Sequence, residues 1–349
     1  MVIRELDSAK MAQYGIQLKQ AERAWLVETS ELRREVERLS AMSANRDTVR
    51  DSIPKPYPVY IEKQLTWWEK VKIKTNPALD SNFGGVQVGS STYSWIGKPA
   101  QTVQELIDCC HKAGVSSLEV MYGEFAKYAG QPENVPGEQV VAWRKNMDLE
   151  KIKEIRKVLA AAGIGIHVLN CGPAGWSDEE IDRLFLGVKA LGAKATVQEL
   201  NLDSAKRLAP FAEKHGVYVA MHNHFQYAQE GFSCDPILDV SPMMMLNFDC
   251  GHYLGSTGKD PRDFIEKYHD RIFSLHLKDK TGPNADPANF NQVWGQGETP
   301  LREILRMIRD NKWPIHCDIE LEYPIKPWSD PLKEVYNCVC FAREALTRK

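Results

Sequence analysis

Titratable side chains stand at the ends of several short apolar runs in the second half of this 349-residue chain. They are Glu199, His222, His224, Asp249, His252, His276, Lys278, Glu320 and Glu322. Burying so many charges without compensation would cost several kcal/mol each, so packing alone does not explain them. Mixed carboxylate and imidazole groups are ligands of divalent ions such as Mn²⁺, Mg²⁺, Co²⁺ and Zn²⁺. The pattern therefore predicts a metal centre.

The apolar runs that carry these residues alternate with amphipathic helical segments from Gly85 onward, as in successive βα units. The predicted strands are Val86–Ser90, Ser117–Met121, Gly165–Leu169, Ala195–Leu200, Tyr218–His222, Met244–Asp249, Ile272–Leu277 and Ile315–Glu320. No Gly-rich dinucleotide fingerprint follows the first strand, which disfavours an open doubly wound sheet. We predict an α/β fold, a (β/α)8 TIM barrel, whose chemistry lies on the C-terminal rim of the strands.

The first 83 residues differ from the rest. Glu22 to Met42 has helical spacing and alternating charge signs, and a Pro-rich stretch from Ile53 to Tyr60 precedes Trp67 and Trp68. We predict a helical N-terminal extension over 1–83 and a barrel over 84–349. The extension is expected to pack across the barrel or onto another subunit, which would make the protein a homo-oligomer.

Composition excludes several classes of function. The 43% hydrophobic and 26% charged residues are ordinary for a soluble globular protein, and the net charge of -3 disfavours a nucleic-acid partner. The 8 cysteines form no CxxC pair, as expected of reduced thiols in the cytosol. Neither a signal peptide nor an apolar window long enough to span a membrane is present, so we predict a cytoplasmic location.

Four segments carry a resemblance to a known family: NFDCGHYLGSTGKDP from Asn247, RIFSLHLKDK from Arg271, GQGETPLREIL from Gly295 and IELEYP from Ile319. Together they resemble the sugar-phosphate isomerase/epimerase superfamily, the xylose isomerase-like TIM barrels. Inosose dehydratases and ketose 3-epimerases share this fold. The motifs are specific for the superfamily but not for one activity.

The resemblance implies a single divalent metal, with Mn²⁺ as the first choice. Asp249, His276 and Glu320 match three of the family's ligands. The first ligand departs from the usual pattern, because His222 occupies the strand-five position at which the family has a carboxylate. Either Glu199 or His222 is the remaining ligand, and Glu199 is favoured.

The resemblance also implies a metal-dependent isomerase or epimerase of a sugar or keto-sugar. A proton next to a carbonyl would be removed, and the metal would stabilise the enediolate as a Lewis acid. The candidate catalytic residues are Glu199, His222, His224 and Glu320, and the candidate substrate-binding residues are Glu119, His252, Lys278 and Trp95.

The alternative reaction is dehydration or lysis of the inosose dehydratase or keto-glycoside type. Alternatives of another class are a non-catalytic barrel subunit and an endonuclease IV-like nuclease. The nuclease would need a cluster of several metals and a basic groove for DNA.

Overall fold

The structure, a computed structural model, describes residues 79–95 and 99–348. The barrel lies in a compact unit of Thr75–Ile325 and Pro331–Lys349. The helix predicted at Glu22–Met42 and the rest of the predicted extension up to residue 78 lie outside the described residues. In the described part of the chain, no helix combines the length and apolar character needed to cross a membrane.

Eight parallel strands form a closed barrel, in which each strand pairs with the next and the last pairs with the first. They are β1 (Val86–Ser91), β2 (Ser117–Met121), β3 (Gly165–Asn170), β4 (Ala195–Glu199), β5 (Tyr218–His222), β6 (Met244–Asp249), β7 (Ile272–Leu277) and β8 (His316–Ile319). The predicted (β/α)8 fold is confirmed, and each predicted strand boundary is correct to within one residue.

Helices surround this barrel. They are α1 (Val103–Ala113), α2 (Tyr122–Ala129), α3 (Gly137–Lys145), α4 (Leu149–Ala161), α5 (Asp178–Leu191), α6 (Leu202–His215), α7 (Asp235–Leu238), α8 (Cys250–Thr257), α9 (Pro261–Tyr268), α10 (Leu301–Asn311) and α11 (Pro331–Thr347). Three two-residue strands lie outside the barrel order: Asn82–Phe83 precedes β1, and Asp279–Lys280 pairs with Asn291–Gln292.

Local sequence fixes where a helix begins and ends, and so where the next strand starts. Ser177 and Glu180 form a reciprocal capping box at the start of α5, which satisfies two backbone N–H groups that would otherwise be unpaired. Gly192, with a φ of 88°, ends the same helix in a left-handed conformation that a side chain would disfavour. Strand β4 begins three residues later, at Ala195.

Helical periodicity positions the apolar face of each helix against the barrel. In α10 the buried residues are Leu301, Ile304, Leu305 and Ile308, which recur at the spacing of one helix face. Burying such a side chain contributes about 1.5–3 kcal/mol. The helices are thereby held on the outside of the barrel, and the strand ends remain free to form a site.

One acidic side chain in this shell forms no ion pair with any described residue. Glu124 lies in α2, directly after β2, and its buried carboxyl oxygens have no well-aligned hydrogen-bond partner there, although Thr92 lies close enough to lower its pKa slightly. Burial raises the pKa of this carboxyl from 4.5 to about 7. The folded protein therefore holds the Glu124 proton more tightly than the unfolded chain does.

This pKa shift predicts how stability depends on pH. The contribution of Glu124 is fully present below the unfolded pKa of 4.5 and is lost as pH rises through about 7. In Glu124→Gln, the free energy of unfolding relative to wild type should rise by up to about 3 kcal/mol between pH 4.5 and pH 8. Urea denaturation followed by circular dichroism measures this difference.

The matched control is Glu138→Gln at an exposed position in α3. It should change the free energy of unfolding by less than about 0.5 kcal/mol at both pH values. A difference between Glu124→Gln and wild type that is the same at both pH values would contradict the assignment of a buried, protonated carboxyl.

Candidate metal centre

The strand register gathers the predicted site residues at one end of the barrel. Asp249 is the last residue of β6, and its Cα partner on β7 is His276. His222 is the last residue of β5, and its Cα partner on β6 is Asn247. Because alternate residues of a strand share a face, Asn247 and Asp249 point the same way. The C-terminal rim predicted from the sequence is therefore where these residues meet.

Lys278 lies at the centre of the cluster and pairs with three carboxylates. Its Nζ is 3.0 Å from Asp249 Oδ2, 2.9 Å from Glu320 Oε2 and 2.8 Å from Glu322 Oε2. The Lys278 side chain is only 2% exposed. Burial opposes the charged ammonium, but the three carboxylates outweigh it and raise the pKa of Lys278. This lysine is therefore a permanent internal cation.

His276 is held between two further carboxylate contacts. Its Nε2 lies 3.1 Å from Glu119 Oε1, and its Nδ1 lies 2.9 Å from Glu320 Oε2. Burial favours the neutral imidazole, but Glu119 and Glu320 outweigh burial and raise the pKa of His276. In the absence of another cation, the ring is protonated.

The buried charges at this rim do not cancel. Glu119, Asp249 and Glu320 are buried, and although burial opposes ionisation, neighbouring cations lower the pKa of each. Glu322 also contacts Lys278, and Lys280 is buried nearby, so four carboxylates face three cations, Lys278, Lys280 and protonated His276. A divalent ion in place of the His276 proton would bring these buried charges to zero, and metal binding requires that proton to leave.

Three donor groups lie close enough to share one ion. His222, Asp249 and His276 each offer a ligand atom, and the three atoms lie within 4.8 Å of one another. Asp249 Oδ2 and His276 Nε2 are buried and, despite charged neighbours at 3.0 and 3.1 Å, have no aligned hydrogen-bond partner. Two imidazoles and a carboxylate suit Mn²⁺, Co²⁺ or Zn²⁺, so the residues fit the divalent metal that the resemblance of the motifs implies.

Asn247 orients one of these donors and was missed in the sequence. Its Oδ1 lies 2.7 Å from His222 Nδ1, and its Nδ2 donates to Glu119 Oε2 and Ser274 Oγ, each at 2.8 Å. Because the amide nitrogen is used by these acceptors, His222 Nδ1 carries the hydrogen and Nε2 keeps its lone pair. Asn247 precedes Asp249 by two residues, a spacing that could have identified it.

Glu199, the favoured first metal ligand, lies elsewhere. Its carboxylate is 3.0 Å from His224 Nδ1 and also bonds the Gln226 side-chain amide. The Glu199 side chain is 46% exposed and belongs to neither group of residues close enough to share an ion. His222 is instead the residue beside Asp249 and His276. The preference for Glu199 as a ligand is therefore not supported by this geometry.

A second cluster of imidazoles lies next to the first. His222, His224 and His252 also have ligand atoms within 4.8 Å of one another. The hydrogen bond with Glu199 raises the pKa of His224, which is half-buried. His252 Nε2 lies 2.9 Å from Lys278 Nζ. These two histidines occupy the edge of the metal centre, where the sequence predicted catalytic and substrate-binding roles.

Two predicted substrate contacts do not fit their positions. Trp95 is 1% exposed, so its predicted contact with a sugar stays a prediction that this buried position does not support. Tyr93 is the exposed aromatic residue on the same segment, and burial together with Glu322 and Glu320 raises its pKa. Glu119 is fully buried and contacts His276, so it positions the imidazole and does not face a substrate.

Asp279 anchors the loop that borders the site. Its carboxylate accepts backbone N–H groups of Gly295 at 2.7 Å, Gly297 at 3.0 Å and Thr299 at 3.2 Å. A Cβ on Gly297 would lie 2.2 Å from Asp279 Oδ1, so only glycine allows this close approach. The segment that begins at Gly295 and the segment that contains Lys278 and Asp279 are thus joined by these hydrogen bonds.

Comparison with known proteins agrees with this architecture. Residues 189–339 match the family model described as xylose isomerase-like TIM barrel. Over 136 residues, the chain is 25% identical to the inosose dehydratase of Clostridium perfringens, covering 34% of this chain and 46% of that protein. The chain thus matches less than half the length of this curated relative.

Solved structures share the fold at low sequence identity. A sugar phosphate isomerase/epimerase from Parabacteroides distasonis has a TM-score of 0.51 and 19% identity, covering 74% of this chain and 95% of that one. A xylose isomerase domain protein from Alicyclobacillus acidocaldarius has a TM-score of 0.52 and 13% identity, covering 74% and 99%. A D-psicose 3-epimerase determined with D-fructose has a TM-score of 0.50 and 16% identity, covering 75% and 99%. The chain therefore shares the barrel fold of these structures, and residues 189–339 match the model of the family that its motifs resemble.

Proposed function

We propose that this protein is a divalent-metal-dependent isomerase or epimerase that moves a proton next to the carbonyl of a sugar or keto-sugar. The observation that carries the proposal is the set of His222, Asp249 and His276 donor atoms within 4.8 Å, in a buried cluster with excess negative charge. Such a set at the C-terminal rim of a barrel is suited to a cation and not to packing alone.

The ion would be held by His222, Asp249 and His276. Glu320 lies next to this set, because its Oε2 contacts His276 Nδ1. When bound, a divalent ion supplies Lewis-acid polarisation of the substrate carbonyl. Mn²⁺ is the first ion to test, and Mg²⁺, Co²⁺ and Zn²⁺ are the others that this donor set accommodates.

The Glu199–His224 pair is our candidate for proton transfer. Glu199 accepts from His224 Nδ1 at 3.0 Å and so orients the ring, which leaves Nε2 to take or return a proton. His224 is half-buried at the edge of the centre, where a substrate can reach it. Lys278 and neutral His252 would donate to substrate oxygens and stabilise negative charge on them.

Dehydration is the second candidate reaction, and the similarity to an inosose dehydratase favours it. It begins with the same proton removal but ends with loss of a hydroxyl group. The His222 and His224 pair also favours it, because a protonated imidazole can donate to a leaving hydroxyl. The two reactions differ only in what happens after the first proton transfer.

Metal binding should depend on the charge of Asp249. Asp249→Asn keeps an oxygen to cap α8 but removes the charge, and it should weaken Mn²⁺ binding by at least about 100-fold, since loss of outer-shell partners alone costs 10–100-fold. Isothermal titration calorimetry of the metal-stripped protein measures the affinity. Asp239→Asn, at an exposed position, is the matched control and should bind as wild type does.

Equal Mn²⁺ affinity in wild type and Asp249→Asn would refute the assigned centre. Removal of the ion with EDTA should abolish turnover, and addition of Mn²⁺ or Co²⁺ should restore it. Full turnover by the metal-free protein would exclude the proposed reaction.

Proton transfer next to the carbonyl should depend on His224. Incubation with D-fructose, D-psicose or inosose in deuterated water should incorporate deuterium next to the carbonyl, which NMR detects. His224→Gln should slow this exchange by about 10²–10⁴-fold with metal affinity retained. His269→Gln, on the helical turn before β7, is the control and should exchange at the wild-type rate.

The products separate the two candidate reactions. Recovery of an isomer or epimer with no loss of water supports the first, whereas an unsaturated or dehydrated ketone supports the second. A metal-loaded protein that neither exchanges deuterium nor forms product with any of these compounds, or with phosphorylated or carboxylated sugars, would favour a non-catalytic barrel.

A further inference from the structure

A second lysine follows β7 and, unlike Lys278, forms no ion pair with any residue that the structure describes. Lys280 lies in the two-residue strand Asp279–Lys280 and is 4% exposed. Among the described residues, no carboxylate lies within ion-pair distance of its Nζ, and no acceptor takes a hydrogen bond from it. Burial lowers the pKa of Lys280, and the neighbouring ammonium of Lys278 lowers it further. This ammonium therefore lacks the partner that buried charges require.

Next to Lys280, a hydrogen-bond donor is also unused. His252 Nε2 lies 2.9 Å from Lys278 Nζ, and because an ammonium can only donate, Nε2 is the acceptor. An Nε2 that accepts carries no hydrogen, so the hydrogen of the ring is on Nδ1. This Nδ1 is buried and has no hydrogen-bond partner among the described residues.

Unpaired acceptors complete the group. The Oδ1 atoms of Asn289 and Asn291 are both buried, and neither accepts a hydrogen bond from the part of the chain that the structure describes. Asn291 is the Cα partner of Lys280 across the short strand pair, and its Nδ2 is 3.4 Å from Glu322 Oε2, on the edge of the metal centre. A Cβ on Gly255 would lie 2.2 Å from Asn289 Oδ1 and 3.1 Å from Lys280 Cε, so these two side chains lie against the same point of α8.

We propose that Lys280 and His252 Nδ1 bind an acidic group of the substrate, a carboxylate or a phosphate, while Asn289 and Asn291 accept its hydroxyl groups. A cation and an N–H donor without partners are satisfied together by an anion, and buried amide oxygens are satisfied by hydroxyls. This inference rests on the proposed function and narrows its substrate class to an acidic sugar.

Binding of three sugars to the full-length protein tests the inference. D-glucuronate carries a carboxylate, D-glucose 6-phosphate carries a phosphate, and D-glucose is the neutral counterpart. At least one acidic sugar should bind at least about 10-fold more tightly than D-glucose at low ionic strength, as expected of a charge-assisted contact. Calorimetric dissociation constants measure the preference, and the stronger of the two acidic ligands identifies the group that the site takes.

The variant Lys280→Met should lose this preference and bind all three sugars with similar affinity. Lys259→Met removes an exposed lysine that follows α8 and should keep the preference. If Lys280→Met does not fold, Lys280→Gln replaces it, because glutamine keeps a hydrogen-bond donor but removes the charge. The comparison of the three sugars on the wild-type protein tests the inference without any variant. Equal binding of acidic and neutral sugars by wild type, or an intact preference in Lys280→Met or Lys280→Gln, would overturn the inference.

Each measurement is made with Mn²⁺ and again in EDTA. The Lys280-dependent preference should persist in EDTA, because it does not depend on the ion. A preference that survives there while Mn²⁺ fails to bind would separate failure of the proposed metal centre from failure of the acidic-group site.

Discussion

The structure of the C-terminal rim depends on the ion pairs between the Lys278 ammonium and three carboxylates. Asp249 at the end of β6 and Glu320 and Glu322 after β8 all lie within 3.0 Å of its Nζ. Closing the barrel forces these carboxylates together, and their repulsion in a buried setting would oppose closure. Losing one partner of such a buried pair costs about 3–5 kcal/mol, so the geometry of the rim is set by charge as well as by packing.

Neutral groups connect this charged cluster to the imidazoles. Asn247 contacts His222, Glu119 and Ser274 at once, and Glu119 in turn lies against His276. Each member thereby fixes the orientation of the next, as expected of a fully connected buried network. The positions of the two imidazole donors are consequently linked through a side chain that itself carries no charge.

Much of this architecture was accessible from the sequence because it follows from local patterns. The alternation of apolar runs and amphipathic segments gave strand limits within one residue, and parallel strands bring their last residues to one rim, which placed Asp249 and His276 together. The choice between Glu199 and His222 was not accessible, because it depends on which side chain a neighbour holds. Glu199 is held by His224, and His222 is held by Asn247.

The burial of Trp95 was equally inaccessible. It lies four residues beyond the end of β1, and sequence spacing does not say whether such a ring packs inward or outward. Side-chain direction in connecting segments depends on contacts that are remote in the chain. The same reason explains why Lys278 and Lys280, two residues apart, differ so sharply in their partners.

The backbone hydrogen bonds that Asp279 accepts also separate the loop that borders the site from the elements on either side of it. Besides the amides bound by Asp279, Glu298 N donates to Lys280 O at 2.8 Å, and Lys280 N donates to Thr299 Oγ1 at 3.2 Å. Hydrogen bonds therefore fix both ends of the segment between Lys280 and Gly295. Insertions or exchanges within that segment remove none of the atoms that make these hydrogen bonds. Sequence changes in this loop, natural or engineered, can therefore alter which substrates reach the C-terminal rim without altering the barrel.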